Sequence, residues 1–412
     1  MGRFFSDVVE QALRDIYYDM ASGHGQESFR RLEEASEAGD GDATCLLARC
    51  LCGYQYTWVG HGFPEDDKRA EKLMHKSVEQ GSAVGVLLAL RSGELSPQLM
   101  QKMPFSSLQE AFNIVLAKAE QGDAFCQYTI GNVYFWWDFL RIEGKGRDSF
   151  SSDAEFKNYM KNSISKCEGW FLKAYEGGMY HAGNNLNNYY QKGDEDFIPP
   201  MPWKCQGLWQ KGADKGYPPH QYLYARELDK AGKTDNAFYW HKKAMDNGEL
   251  DSCFYVGLAY ERGDVVPQDC SYAASCYEKG LTIENVGCLN RLGALYFDGK
   301  GVPQNYEKGV QMILKAHELS DSKWGFPYLG KACFYGYGLP QDYTQARKYL
   351  EQVNANHVES SYLLGLIYAQ GLGVAPDIKR GVEYLQRTGN YPPAKEELKN
   401  YKKTLFGKWV RR

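Results

Sequence analysis

The stretch Leu292–Asn305, L-G-A-L-Y-F-D-G-K-G-V-P-Q-N, decides how this chain folds. It returns as Leu329–Asp342 (L-G-K-A-C-F-Y-G-Y-G-L-P-Q-D) and as Leu364–Asp377 (L-G-L-I-Y-A-Q-G-L-G-V-A-P-D). An upstream copy, Val256–Asp269, keeps the grammar except that Val265 replaces the second glycine. First positions at 256, 292, 329 and 364 are 36, 37 and 35 residues apart. Self-similarity at that period marks stacked repeats rather than one globular core.

Each copy reads as helix, glycine turn, helix. Leu364 and Tyr368 lie four apart, about 40° around a helix at roughly 100° per residue, so they share one buried edge. Between them Gly365, like Gly257, Gly293 and Gly330, sits inside a helix, where glycine costs roughly 1 kcal/mol against alanine. Its recurrence points to a close approach by a neighbouring helix. Gly371 and Gly373 end the helix and open a tight turn. Asp269, Asn305, Asp342 and Asp377 then supply side-chain oxygens for the open N–H groups of a second helix. Four residues on comes a small residue (Ala273, Gly309, Ala346, Gly381), then bulky positions such as Tyr349-Leu350 and Tyr384-Leu385. One such hairpin cannot bury its apolar face alone, so neighbours must stack.

The order A/S-x-x-L-G-x-x-Y-x-x-G-x-G-V-x-x-D, followed by small and aromatic positions, resembles the Sel-1-like repeat, a relative of the tetratricopeptide repeat. The resemblance is most regular over residues 250–390. It implies an all-α fold, a right-handed α/α superhelical solenoid of antiparallel hairpins, used as an adaptor or scaffold. Two other roles follow from the same resemblance. One is an immunity or inhibitor protein that neutralises a specific toxin. The other is a hydrolase activity, as claimed for secreted relatives with a cysteine pair in every repeat. Here Cys253, Cys288 and Cys333 occupy three different repeat positions, which counts against the second.

Outward from the regular copies, the grammar wears down. Gly60-His61-Gly62-Phe63-Pro64-Glu65-Asp66 restates the glycine turn, with Ala70 four residues after Asp66. Ile130-Gly131-x-x-Tyr134 restates the first helix, but its glycine turn arrives late, at Gly144-Lys145-Gly146. Leu186 and Tyr190 open another unit, delayed by an acidic, proline-rich stretch. The predicted plan is about ten hairpins and no β-sheet. Residues 1–40 form a capping hairpin, 41–249 degenerate repeats with insertions, 250–390 regular repeats, and 391–412 a basic tail helix. Phe139–Asp153 and Gly193–Pro202 are read as loops that are either binding elements or tolerated insertions.

A net charge of −4 and a pI near 6.1 give no basic footprint for nucleic acid. No segment approaches 18 consecutive apolar residues, and the start lacks the apolar run of a secretory signal. Gly2 with Ser6 fits a short myristoylation pattern of low specificity. Eleven cysteines without an export signal point to reduced thiols and a cytoplasmic protein. No H-E-x-x-H, C-x-x-C or G-x-S-x-G occurs, and the eight histidines are scattered, so no enzyme, metal or cofactor is expected.

Helical phase gives the candidate binding face. With Leu, Gly and Tyr of the motif turned to the core, positions −2, −1, +2 and +6 relative to Leu face away. First helices line the concave side of such a solenoid, so these positions are predicted to contact a protein or peptide partner. They are Asn132 and Trp136; Asn184, Asn185 and Asn188; Tyr222 and Arg226; Tyr255; Asn290 and Arg291; and Lys331. Asn184, Asn185 and Asn188, with Asn187 a fourth asparagine in the same five residues, cost helix propensity with no visible structural return, which singles out Asn184–Asn188.

Overall fold

A computed structural model describes residues 4–53, 56–194, 196–205, 207–354, 356–405 and 407–412. The myristoylation reading at Gly2 lies outside them, while Ser6 serves as the N-cap of the Asp7–Leu13 helix. The protein divides into two compact units. One is formed by residues up to Lys233 together with Asp246–Glu249, the other by Thr234–Met245 and Leu250–Arg412. Both are stacks of helical hairpins, as the all-α solenoid requires.

In the second unit the repeat grammar becomes geometry. Four hairpins pair Ser252–Arg262 with Cys270–Gly280, Val286–Asp298 with Tyr306–Ser320, Phe326–Tyr335 with Tyr343–Leu350, and Val358–Gln370 with Ile378–Arg387. Each second helix begins at its predicted cap: Asp269 accepts from Tyr272 N, Asn305 from Lys308 N, Asp342 from Thr344 and Gln345 N, Asp377 from Arg380 N. The cap's own N–H returns to the first helix, to the carbonyls of Tyr260, Tyr296, Cys333 and Tyr368 at 2.8–2.9 Å. Both ends of the turn are thereby pinned.

The interior glycines do what their recurrence implied. A Cβ on Gly365 would lie 2.7 Å from Leu385 Cδ2, and one on Gly330 2.5 Å from Leu350 Cδ2. One on Gly257 would sit 2.5 Å from the Tyr277 ring. The partner helix therefore occupies the space a side chain would need. Gly371, with φ +72°, ends its helix in the left-handed conformation that the turn demands.

The first unit uses the same hairpin with more irregular joints. Its pairs are Asp7–Leu13 with Gly25–Glu37, Gly41–Leu51 with Asp67–Glu79, Ala83–Ser92 with Leu108–Glu120, Ala124–Phe135 with Lys166–Glu176, and Tyr180–Lys192 with Leu208–Asp214. Nine hairpins thus pack inside the units. The consecutive helices Pro218–Lys230 and Thr234–Asp246, expected as the tenth, are divided between them.

Two expectations need correction. Phe139–Asp153 is not one loop, because it contains the short helix Asp138–Ile142 and the 3-10 turn Arg147–Ser149 and leads into a further helix, Asp153–Ile164. The insertion and the Gly193–Pro202 segment pack on each other. Trp137 Nε1 donates to Asp194 Oδ2 at 3.1 Å, and Phe197 meets the rings of Trp137 and Phe156 at 5.3 and 6.0 Å.

The tail is also not a continuous helix. Pro392 and Pro393 start a helix that ends at Leu398, and a two-stranded antiparallel sheet follows, Tyr401–Lys403 against Trp409–Arg411. Gly407, with φ +76°, supplies the turn. Tyr401, in the first strand, is buried against Val382, Leu385 and Ala394 of the last helices.

Candidate functional site

Four successive first helices of the first unit each present one stripe to a common cavity of about 830 Å³. The stripes follow helical spacing. Arg49 closes the Gly41–Leu51 helix, and Arg91 the Ala83–Ser92 helix. Tyr128, Asn132 and Trp136 are four apart along and just beyond Ala124–Phe135. His181, Asn184, Asn185 and Asn188 come from Tyr180–Lys192. Gly131 and Gly183 let these helices seat closely on their partners, since a Cβ there would lie 2.5 Å from Phe171 and 2.7 Å from Tyr175.

Five predicted residues therefore meet in one place: Asn132, Trp136, Asn184, Asn185 and Asn188. Three of the four asparagines have structural partners, contrary to expectation. Asn185 Nδ2 donates to Asn132 Oδ1 at 2.7 Å, and Asn184 Oδ1 lies 3.2 Å from His220 Nε2. Each primary amide has two donors and a two-lone-pair acceptor, so one bond leaves capacity for a guest. Asn188 and Trp136 are exposed.

The remaining predicted residues lie elsewhere and are engaged within the protein. Arg226 Nη1 donates to Tyr222 Oη at 2.8 Å. Tyr255 stacks on His241, with ring centroids 4.2 Å apart. Arg291 pairs with Glu261 at 3.3 Å and lies over the Trp324 ring, and Lys331 pairs with Glu359 at 2.7 Å. Asn290 is buried, with Nδ2 donating to Ser322 Oγ. Its predicted exposure is corrected: the turn after the next helix folds over the −2 position.

The cavity also holds groups that helical phase alone did not select. Arg49 is 4% exposed and lies under four aromatic rings, those of Tyr17, Tyr56, Phe125 and Tyr128, at 4.9–5.9 Å. Cation–π contacts contribute about 0.5–2 kcal/mol each. Ring faces supply attraction for the Arg49 charge but no conventional oxygen acceptor for its N–H groups. Its Nε donates to Tyr17 Oη at 3.3 Å, and Tyr17 is aimed there by a π-helical turn, Arg14–Tyr18. Arg49 Nη2 is buried with no hydrogen-bond partner. Burial opposes its charge, but the neighbouring phenols of Tyr17 and Tyr128 outweigh it, and the net direction is upward. The guanidinium stays charged.

Arg91 sits 5.0 Å over the Trp136 ring and 3.4 Å from Asp138 Oδ2. Burial pushes the Asp138 carboxyl up to about 6, against the pull of Arg91 and Arg141. Burial, and then the charge of Arg49, hold His181 well below its ordinary value, so it is neutral. At the exposed side, Glu71, His75 and Glu94 bring three potential ligand atoms within 4.8 Å. A His75–Glu94 contact of 3.4 Å accounts for two of them, and exposed carboxylates commonly sit this way without an ion.

Comparison with known proteins bears on both the repeats and the cavity. The sequence matches the Sel1 repeat over residues 43–82, 158–179, 222–249, 250–281, 287–321, 328–352 and 358–389, more than half its length. The protein belongs to the Sel1 repeat family. A Sel1-repeat-containing protein of Escherichia coli, YjcO, is 25% identical over 183 residues, covering 43% of this chain and 63% of that protein. Among solved structures, a protective antigen of uropathogenic Escherichia coli displaying an SLR fold aligns over 95% of this chain and 86% of its own, with 20% identity and a TM-score of 0.48. A Sel1 repeat protein from Oxalobacter formigenes aligns over 97% and 96%, with 18% identity and a TM-score of 0.39. Sel1 repeat proteins are generally protein–protein interaction scaffolds. Most of the cavity's polar residues, including Arg91, Asn132, Asn184, Asn185 and Asn188, fall between the matched Sel1 segments, while Arg49 falls inside the first.

Proposed function

We propose that this protein is a non-enzymatic binding scaffold that holds a polypeptide segment in the cavity of its first unit. The observation that carries the reading is the convergence of Asn132, Asn184, Asn185, Asn188 and Trp136 on one concave surface. Side-chain amides offer donors and acceptors that match an extended backbone, and an exposed tryptophan supplies an apolar anchor. An 830 Å³ space suits a few residues of polypeptide rather than a folded domain. No disulfide joins any of the eleven cysteines, which supports a reducing, cytoplasmic setting. Among the described residues no helix is long and apolar enough to cross a membrane.

The test is capture of partners from the native cell with the full-length protein as bait, identified by mass spectrometry. Affinity for the recovered partner is then compared between the wild type and the Asn184→Ala/Asn185→Ala/Asn188→Ala variant. Losing hydrogen bonds at a desolvated interface predicts binding about tenfold weaker or worse, with an unchanged circular dichroism spectrum. Full affinity in a folded variant removes the cavity from consideration.

A further inference from the structure

The Arg49 guanidinium is charged, 4% exposed and part of the cavity lining, yet no carboxylate pairs with it among the described residues. Buried charges are ordinarily paired, because leaving water is costly unless a counter-charge replaces it. Aromatic rings lie within 5.9 Å of its Cζ, and one phenol takes Nε, while Nη2 has no hydrogen-bond partner. The unmet donor is Nη2 of a planar guanidinium, whose usual complement is a carboxylate with two acceptor oxygens.

A second arginine lines the same space. Arg91 Nη1 is likewise buried without a hydrogen bond, although Asp138 stands 3.4 Å away. Tyr56 lies between the two cations, with its ring 4.9 Å from Arg49 Cζ and its hydroxyl 3.4 Å from Ser92 Oγ, next to Arg91 in sequence. His181 is neutral and buried, with Nε2 unpartnered. The cavity also carries Asp67, Glu71, Glu94 and Asp138, so a doubly charged phosphate meets more repulsion than a single carboxylate. Amide groups of Asn132, Asn184, Asn185 and Asn188 stand ready for the peptide units beside such a carboxylate.

We propose that Arg49 and Arg91 form a receptor for a carboxylate of the bound peptide, with the asparagines holding its adjoining amides. This rests on the reading that a polypeptide occupies the cavity. The carboxylate belongs either to the C-terminus of the bound peptide or to an aspartate or glutamate side group within it, and both present the same two oxygens.

Three N-acetylated degenerate hexapeptide pools separate the cases on the immobilised full-length protein. One has a free C-terminus and no Asp or Glu, one is C-terminally amidated and contains Asp and Glu, and one is amidated and lacks both. Retention of the first or second pool about tenfold above the third is expected, and whichever pool it is names the source. Equal retention of all three overturns the carboxylate assignment and leaves the cavity as a peptide site. Retention of none overturns both.

Arg49→Gln removes a group packed among core aromatics and can cost the fold, so Arg91→Gln carries the variant test. Arg91 is half-buried, and its loss leaves the buried Asp138 carboxyl without that counter-charge, so the melting temperature should fall; in protein that circular dichroism shows to be folded, the replacement should erase most of the preference for carboxylate pools. Arg49→Lys retains charge without the planar edge and should bind both carboxylate pools more weakly than wild type. An undiminished preference in folded Arg91→Gln and Arg49→Lys proteins overturns the proposal.

Discussion

The two units are built from one hairpin and differ in what the first helices carry. In the second unit, the outward positions of the first helices are settled within the unit. Arg291 is held by Glu261 and Lys331 by Glu359, Tyr255 lies flat on His241, and Asn290 is buried beside Ser322. In the first unit the corresponding positions surround a cavity, and two arginines there carry N–H groups with no hydrogen-bond partner. The outward charges of the regular repeats pair within the unit, although Asn290 Oδ1 and Arg347 Nε are also buried without a hydrogen bond. The irregular ones, lying largely between the segments that match the family, leave polar capacity over.

The largest effect that sharpens this contrast is a pH dependence. Burial holds His220 down to about 3, beneath Tyr175 and against Asn184. A histidine whose folded value lies below its unfolded one stabilises the fold above about 6.5 and loses that contribution as pH falls toward 3. By pH 4 the loss is about 3 kcal/mol, at roughly 1.4 kcal/mol per unit. Urea unfolding at pH 7 and pH 4 should show that much less decline in His220→Gln than in wild type. Equal declines would mean that the helix bearing Asn184 does not rest on a neutral histidine.

Next comes packing in the regular unit. Gly330→Val and Gly365→Val each force a side chain onto Leu350 or Leu385, and overpacking of this kind costs about 1–3 kcal/mol. Unchanged urea midpoints would show that these helix pairs leave room for a valine.

Third, binding should divide between the units. The triple asparagine variant should weaken partner affinity about tenfold. Arg291→Gln with Lys331→Gln should leave it unchanged, because those cations already have partners. The reverse pattern would move the binding face to the regular repeats.

The smallest expected effect is Asp342→Ala, about 1 kcal/mol for a lost N-cap, read from the urea midpoint. The cap bonds to Thr344 and Gln345 N at 2.8 and 3.0 Å are the measure of that role.

Most of the fold is legible in the sequence because its causes are local. A glycine facing a partner helix, or an Asp ahead of a helix, acts within one hairpin, and the same letters recur where the same space is needed. The Asn184–Asn188 cluster is legible for a related reason: helix propensity makes it an anomaly. Its neighbours are not, because Asn185 meets Asn132 across 53 residues and Arg49 gains its meaning from rings of Tyr17, Phe125 and Tyr128. One clue is nonetheless present in A-T-C-L-L-A-R-C-L, where a single arginine interrupts a wholly buried helix. The tail reads as helix because its lysines suit a helical terminus equally well. Gly407 between Tyr401-Lys402-Lys403 and Trp409-Val410-Arg411 is the signal for a turn.

That β-hairpin has a consequence for the helix it lies against. A stack of identical hairpins ends on an apolar face that resembles the face its next member would bring. Here Tyr401 and Trp409 close over Val382 and Leu385, and the strands carry Lys402, Lys403 and Arg411 at their edges. Charged, three-residue strands offer little for another molecule to extend. Without them, Val382 and Leu385 would lose part of the apolar cover that Tyr401 and Trp409 supply. Two short strands thus give the apolar side of the Ile378–Arg387 helix a charged outer cover.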